Sequence, residues 1–418
     1  MKKLNTILVI AAVAAVGCAK TEVVDTPDVK IGYQVASYST QTKAGETSFL
    51  TELAGLDVTS NQAFKSKAFI NADDGNGGFT FSTFYNESIA WDGTNTIWAP
   101  ATKDYYWPKS PRSNIDFFSW YCYGVDDPNL DYDGEDASMV WSNKTIPSKA
   151  DILFANIAFH QKKNNAVEYG KDGVSEGVPT LFHHALAQVK FTAKIKDGCD
   201  KKVDSHAPSK YTFWEVELSN LAIAANKIHA NGTLTLTGAD PDDSDITPSI
   251  TSWSSAVWTN ASSPAYVSTG SAWFTTDAAT GAAALTTTAA NLIPDTHMKN
   301  GYVAVRPQAI GNDVTLGFKM TITTYYGADL ASAKSAGATN TEVIDVVAYD
   351  GTAYDEAPND IYTATGIQLN KLGSITAWEM NHKYTYNLII DPSTNTILYD
   401  PAVEAWAAES TGTANIPE

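Results

Sequence analysis

Apolar and polar residues alternate with a period of two along most of this chain. Val29, Ile31, Tyr33 and Val35 alternate with Lys30, Gly32 and Gln34. Val189, Phe191, Ala193 and Ile195 alternate with Lys190, Thr192, Lys194 and Lys196. The same holds for Trp214, Val216 and Leu218, for Val314 to Ile322, and for Tyr384, Tyr386, Leu388 and Ile390. A period of two puts one apolar face inward on a strand. Strands of this kind, separated by loops of Gly, Asn, Asp and Pro, predict an all-β fold built of sandwiches. Helical periodicity is confined to Phe49, Leu50, Leu53 and Leu56, enough for one short turn.

Two regions break the alternation. Ala239 to Ala290 is rich in Ser, Thr, Ala and Asp, with Trp253, Trp258 and Trp273 spaced along it. It reads as long loops with a few short strands pinned by those tryptophans. Ala328 to Asp360 reads as an exposed insertion. Long loops on a β scaffold often carry recognition. A domain boundary is expected between residues 175 and 210, where polar and charged stretches flank the strand Gln188–Lys196.

The first residues have a different pattern. Lys2 and Lys3 precede an apolar run from Leu4 to Val16, and Ala15-Val16-Gly17-Cys18 follows the form of a lipobox. A secretory signal is cut at small residues. A cut before Cys18 leaves its thiol to carry a lipid; the alternative is an ordinary signal peptide with an incidental cysteine. The run falls short of the roughly 20 residues that a membrane span needs. The rest of the chain carries a net charge of -19, with Arg112 and Arg306 as its only arginines. Clustered cations are what nucleic-acid binding requires, so that class of partner is excluded.

Candidate chemistry is sparse. Gly173-Val174-Ser175-Glu176-Gly177 matches G-x-S-x-G, but the chemistry needs a strand before the serine and a helix after it. Neither pattern is present, and the segment reads as a loop. His183 and His184 are adjacent, so on a strand they face opposite ways and cannot share a metal. Asp131 to Asp136 begins like a calcium loop, yet position twelve is Ser142 where a bidentate Glu belongs. Cys122 lies in an apolar strand-like run and reads as a buried thiol, and its pairing with Cys199 is open. No cofactor, metal site or catalytic residue is expected, and the chain does not read as an enzyme.

Several segments in order resemble the fimbrillin family of the Bacteroidetes, the lipoprotein pilins of the type V kind. Tyr105-Tyr106-Trp107-Pro108 with Ile115 to Tyr121 is similar to the family's YWP…FFAYY stretch. Asp151-Ile152-Leu153-Phe154-Ala155 and Leu181 to Val189 resemble two further family segments, with Gln188 where a basic residue is usual. Asn381 to Tyr386, and Ile397 to Tyr399 with Val403 to Trp406, resemble its closing strands. Ala239–Ala290 has no counterpart.

The resemblance implies two transthyretin-like β-sandwich domains. It divides the chain into a signal peptide (1–17), a lipidated segment with a removable first strand (18–43), an N-terminal domain (44–180) and a C-terminal domain (181–418). It also implies a role as a structural subunit of a surface fimbria that supports adhesion. The precursor would be lipid-anchored at Cys18 in the outer membrane. A trypsin-like protease would remove the first strand, and a C-terminal strand of another pilin subunit would fill the groove. The residues fit this. Val29–Ser37 is an alternating strand, and the polar run after it contains Lys43-Ala44, a trypsin-like site. Residues 396–406 are the candidate donor: Ile397, Tyr399 and Val403 share one parity, and Trp406 anchors the end. They equally suit a strand completing its own sandwich. Two rival functions remain: a surface glycan-binding lipoprotein with Trp platforms, and an anchor that keeps its lipid. A host or bacterial surface ligand is a further expected partner.

Overall fold

The computed structural model describes residues 29–37, 63–92, 97–163, 177–223, 228–241, 247–262, 265, 284–293, 302–346, 367–371, 375–394 and 396–405. The first ten strands are β1 (Gly32–Ser37), β2 (Ala63–Asp73), β3 (Phe79–Asp92), β4 (Ile97–Pro100), β5 (Asn114–Tyr123), β6 (Asn129–Tyr132), β7 (Asp136–Thr145), β8 (Asp151–Ala155), β9 (Ile157–Gln161) and β10 (Gly177–His184). Seven of them pair in the order β5-β2-β3-β4-β1-β10-β8, and β8 pairs back onto β5. The sheet therefore closes on itself, which removes most of its edges. Phe64, Trp98, Phe117 and Phe182 fill the interior. In β5 the run from Asn114 to Tyr121 is buried on both faces. Phe117 points into the ring, whereas Phe118 and Trp120 pack into a second core outside it. That is why Phe117 to Tyr121 reads as a continuous apolar run rather than an alternation.

The second half contributes β11 (Ala187–Ile195), β12 (Lys201–Asp204), β13 (Ala207–Ile223), β14 (Asn231–Ala239), β15 (Ser249–Thr251), β16 (Ser255–Thr259), β17 (Ala290–Asn291), β18 (Tyr302–Val305), β19 (Gln308–Ala309) and β20 (Thr315–Gly327). Helix α1 (Leu330–Ala336) follows, then β21 (Asn340–Val346), β22 (Ile367–Gln368), β23 (Ala377–Trp378), β24 (His382–Asp391) and β25 (Thr396–Ala405). One sheet runs β17-β11-β24-β25, and another runs β12-β13-β20-β21. Phe191, Val216, Met320, Tyr386 and Leu388 from both sheets share one core, so this half is a sandwich. The residues predicted to face inward on β11, β13, β20 and β24 do so. The chain is all-β, as its alternation predicts.

The halves interleave. A four-stranded sheet runs β16-β14-β7-β6, and β15 pairs with β9. Leu234 and Leu236 of β14 complete the core around Met139 and Trp141. The Trp253 indole N–H donates to the Ala155 carbonyl at 2.8 Å, and that of Trp258 to the Ala185 carbonyl at 2.8 Å. The 239–290 region is thus pinned by two of its tryptophans as expected; Trp273 lies outside the described residues. The expected boundary between residues 180 and 181 falls inside β10, which runs unbroken to His184. The 328–360 region differs from the exposed insertion expected there. Asp329 caps α1 by accepting from the Ser332 N–H, and β21 adds a strand to β20 along seven residues. Only Ile344 of β21 is buried, so its alternation is too shallow to read.

Polar residues inside the fold serve structure. His184 Nδ1 lies 3.0 Å from the Asp151 carboxylate, with both side chains buried. His183 faces the other way, onto Phe154 and the Asn156 Oδ1 at 2.9 Å. In the Asp131–Asp136 turn the Asp133 carboxylate accepts the Glu135 and Asp136 N–H groups, so it closes a hairpin. Cys122 and Cys199 are free thiols. Cys122 lies under the Trp141 indole N–H at 3.3 Å, and burial pushes its thiol up to about 12.

Asp116, His160 and Asp240 form a buried ionic group. His160 has a positive φ of 55°, which aims its ring at Asp240 Oδ2, 2.7 Å away. Its backbone N–H donates to Asp116 Oδ1 at 2.7 Å. Burial raises the Asp116 carboxyl from 3.8 to about 6 despite these partners. The folded chain therefore holds a proton that the unfolded chain has already lost. The resulting stability is fully present below about pH 4 and is lost as pH rises through about 6. Burial of His183, lowered to about 4, has the opposite sign: its contribution is lost as pH falls from 6.5 through 4. Asp116→Asn isolates the first effect. Compared with wild type, urea unfolding of the variant is expected to lack a stability loss of roughly 3 kcal/mol between about pH 4 and 7.

Candidate assembly site: the first strand and its groove

The described chain begins with the alternating strand that the sequence predicts, and it is built into the ring. β1 runs parallel to β10 along six residues, from Gly32 opposite Gly177 to Ser37 opposite Phe182. On its other side it meets β4 through Tyr33 and Trp98. Just before β1, the Ile31 N–H donates to the Tyr105 carbonyl at 2.8 Å, and the Trp107 N–H to the Val29 carbonyl at 3.0 Å. The Tyr105–Trp107 segment thus continues the clasp that β4 starts. β10 approaches closely enough that a Cβ on Gly177 would meet the Gln34 nitrogen at 2.9 Å, which accounts for glycine there.

The inward residues fill three sockets. Ile31, Tyr33 and Val35 are 1%, 2% and 3% exposed. Tyr33 packs edge-on against Phe64 at 5.5 Å and Phe117 at 5.9 Å. Its hydroxyl donates to Ser66 Oγ at 2.9 Å and also meets the Tyr85 hydroxyl. Ser66 in turn accepts from Ser119 at 3.1 Å. Burial raises both the Tyr33 and Tyr85 hydroxyl pKa values, so both stay neutral donors. Burying three such side chains is worth about 2 kcal/mol each, or about 6 kcal/mol together. None of the socket partners is recognisable from sequence, because they come from strands 31 to 84 residues further on.

At the other end, β25 is an edge strand. It pairs antiparallel with β24 from Thr396 opposite Asp391 to Ala405 opposite His382. Among the described residues β24 is its one partner. Ile397 is buried in the C-terminal core, Val403 is half-exposed opposite Tyr384, and Tyr399 is placed opposite Leu388. Pro401 cannot donate to a ladder, and an edge strand tolerates this. So β25 completes its own sandwich in this state. Cys18, Lys43, Ala44 and Trp406 lie outside the described residues. Among the described residues no tryptophan is exposed, and no group of three or more His, Cys, Asp or Glu is placed to hold a metal. No helix of the described residues is long and apolar enough to cross a membrane.

These features define a β-structural protein whose strands and strand edges are its distinctive surfaces. The chain belongs to the fimbrillin-like family, whose sequence pattern matches residues 59–406. That family is one of fimbrial, adhesion-type subunits, structural rather than enzymatic. Among solved structures the chain is similar to a fimbrial protein from Bacteroides vulgatus, with 15% identity and a TM-score of 0.44, covering 90% of this chain and 99% of that one. It is also similar to the tip fimbrial protein Mfa3 of Porphyromonas gingivalis, with 9% identity and a TM-score of 0.24, covering 91% of this chain and all of that one. No curated protein matches it.

Proposed function

We propose that this chain is a pilin that polymerises by strand exchange after a protease removes its first strand. In this reading Cys18 carries the lipid that holds the precursor at the outer membrane. A trypsin-like protease cuts between Lys43 and Ala44. The released segment takes β1 with it and leaves a groove between β4 and β10. The observation that carries the reading is the seat of β1: three buried side chains on a short segment, with the polar Lys43-Ala44 site six residues beyond its end. Such a groove exposes unpaired backbone groups beside open apolar sockets, and an extended strand satisfies both. Ile397, Tyr399 and Val403, with Trp406 behind them, are the donor residues. The burial of the described tryptophans favours this over a glycan-binding surface built on Trp platforms.

Mass spectrometry of the mature N-terminus on purified surface fibres tests it. A start at Ala44 is the expected result. Lipidated Cys18 on all of the surface protein overturns it and leaves a lipid-retaining anchor.

A further inference from the structure

We infer that β25 of a second copy of this chain fills the groove in the direction β1 runs, with Ile397 in the Ile31 socket and Tyr399 in the Tyr33 socket. The inference rests on the proposed loss of β1 and specifies the partner, its polarity and its register.

The first ground is the sequence of the two strands. The pattern Ile-x-Tyr occurs twice in the chain, at Ile31-Gly32-Tyr33 and at Ile397-Leu398-Tyr399. Tyr399 is also the only tyrosine after Tyr386. The second ground is what the central socket demands. It ends in two buried hydroxyls, Ser66 and Tyr85, both of which meet the Tyr33 hydroxyl. An aliphatic side chain there would leave Tyr85 without that partner, and an unpaired buried polar group costs more than the bond is worth. An aromatic ring with a terminal hydroxyl satisfies the socket, and the tail carries one.

The third ground fixes direction. With Tyr399 in the central socket, the opposite polarity would put Pro401 in the place of Ile31. The Ile31 N–H donates to the Tyr105 carbonyl at 2.8 Å, and proline has no N–H to give. In the polarity of β1, Ile397 takes that bond and Pro401 falls at the place of Val35. The match departs there and at Gly32, whose place on the outward parity goes to Leu398. Val403 then stands opposite Phe182, at the place of Ser37.

Availability is the fourth ground. β25 is held by β24 alone among the described residues, whereas in the groove it gains a strand on each side. Socket and matching plug thus lie on one chain, at different surfaces. Such a contact is heterologous and does not close on itself, so it propagates into an open filament. That assigns the chain to the repeating stalk rather than to a capping position.

The test uses the full chain cut with trypsin after Lys43, and synthetic peptides of residues 28–38 and 394–408. Both peptides are expected to bind. Tyr399→Phe in the tail peptide is expected to weaken binding about tenfold, and Tyr399→Ala about a hundredfold or more. A second measurement reads the register between whole subunits. Cysteines replacing Leu181 in one copy and Ala402 in another are expected to form an intersubunit disulfide. Those positions are brought opposite each other in this register, because Ala36 now faces Leu181. Binding of the 28–38 peptide without the tail peptide, tail binding indifferent to Tyr399→Ala, or no disulfide between bound copies overturns the assignment and leaves the groove intact. Failure of both peptides to bind overturns the strand-removal reading itself.

Discussion

Limited trypsin treatment is expected to convert a monodisperse chain into filaments, and Lys43→Gln is expected to keep it monomeric under the same treatment. The uncut strand is tethered, so its effective concentration at the groove is on the order of millimolar. A donor from another copy competes poorly against that at any ordinary protein concentration. The contacts of β1 are not weak: Ile31, Tyr33 and Val35 together contribute about 6 kcal/mol of burial. Cutting the tether removes the local advantage without changing the contacts. The freed segment then dilutes away each time it leaves, while donor strands stay attached to large subunits. Size-exclusion chromatography and gel ladders without boiling read the outcome. Monomer persisting after complete cleavage at Lys43 overturns the idea, and so does equal polymerisation of the Lys43→Gln chain. Replacing one exposed lysine in a polar segment leaves folding unaffected, so the variant isolates the cut.

Alternation shows where strands are when each has one face in a core and one in solvent. β11, β20 and β24 meet that condition, and their buried residues are the predicted ones. β5, β8 and β9 are buried on both faces and lose the alternation. Pairing between distant strands leaves no periodic trace. The β14 ladder on β7 and the β15 ladder on β9 therefore emerge only from the structure. The buried Asp116–His160–Asp240 group has the same cause, since its members lie on three separate elements. The site divides likewise. The inward parity of Ile31, Tyr33 and Val35 is legible; the hydroxyl pair at the bottom of the Tyr33 socket is not. It is that pair, rather than apolar matching, that turns a candidate donor strand into a register.

The Tyr33 socket supports a second large effect, in the uncut chain. Tyr33→Ala removes a ring that packs on Phe64 and Phe117 and empties a fully buried site. The expected loss is about 3–5 kcal/mol of unfolding free energy. It falls on the one strand whose departure opens the groove, so the variant is also expected to form filaments without any cut. Tyr33→Phe keeps the ring contacts and removes only the hydroxyl. Ser66 still holds Ser119 at 3.1 Å, while the Tyr85 hydroxyl loses its partner at Tyr33. The expected cost is about 1–2 kcal/mol. Urea unfolding of both variants, followed by sizing of the unfolded-and-refolded protein, separates shape from hydrogen bonding. A Tyr33→Phe chain as stable as wild type would mean that the socket reads ring shape alone. In that case Phe would serve as well as Tyr, and Tyr399 would owe its place to the Ile-x-Tyr pattern and the Ile31 N–H, not to its hydroxyl.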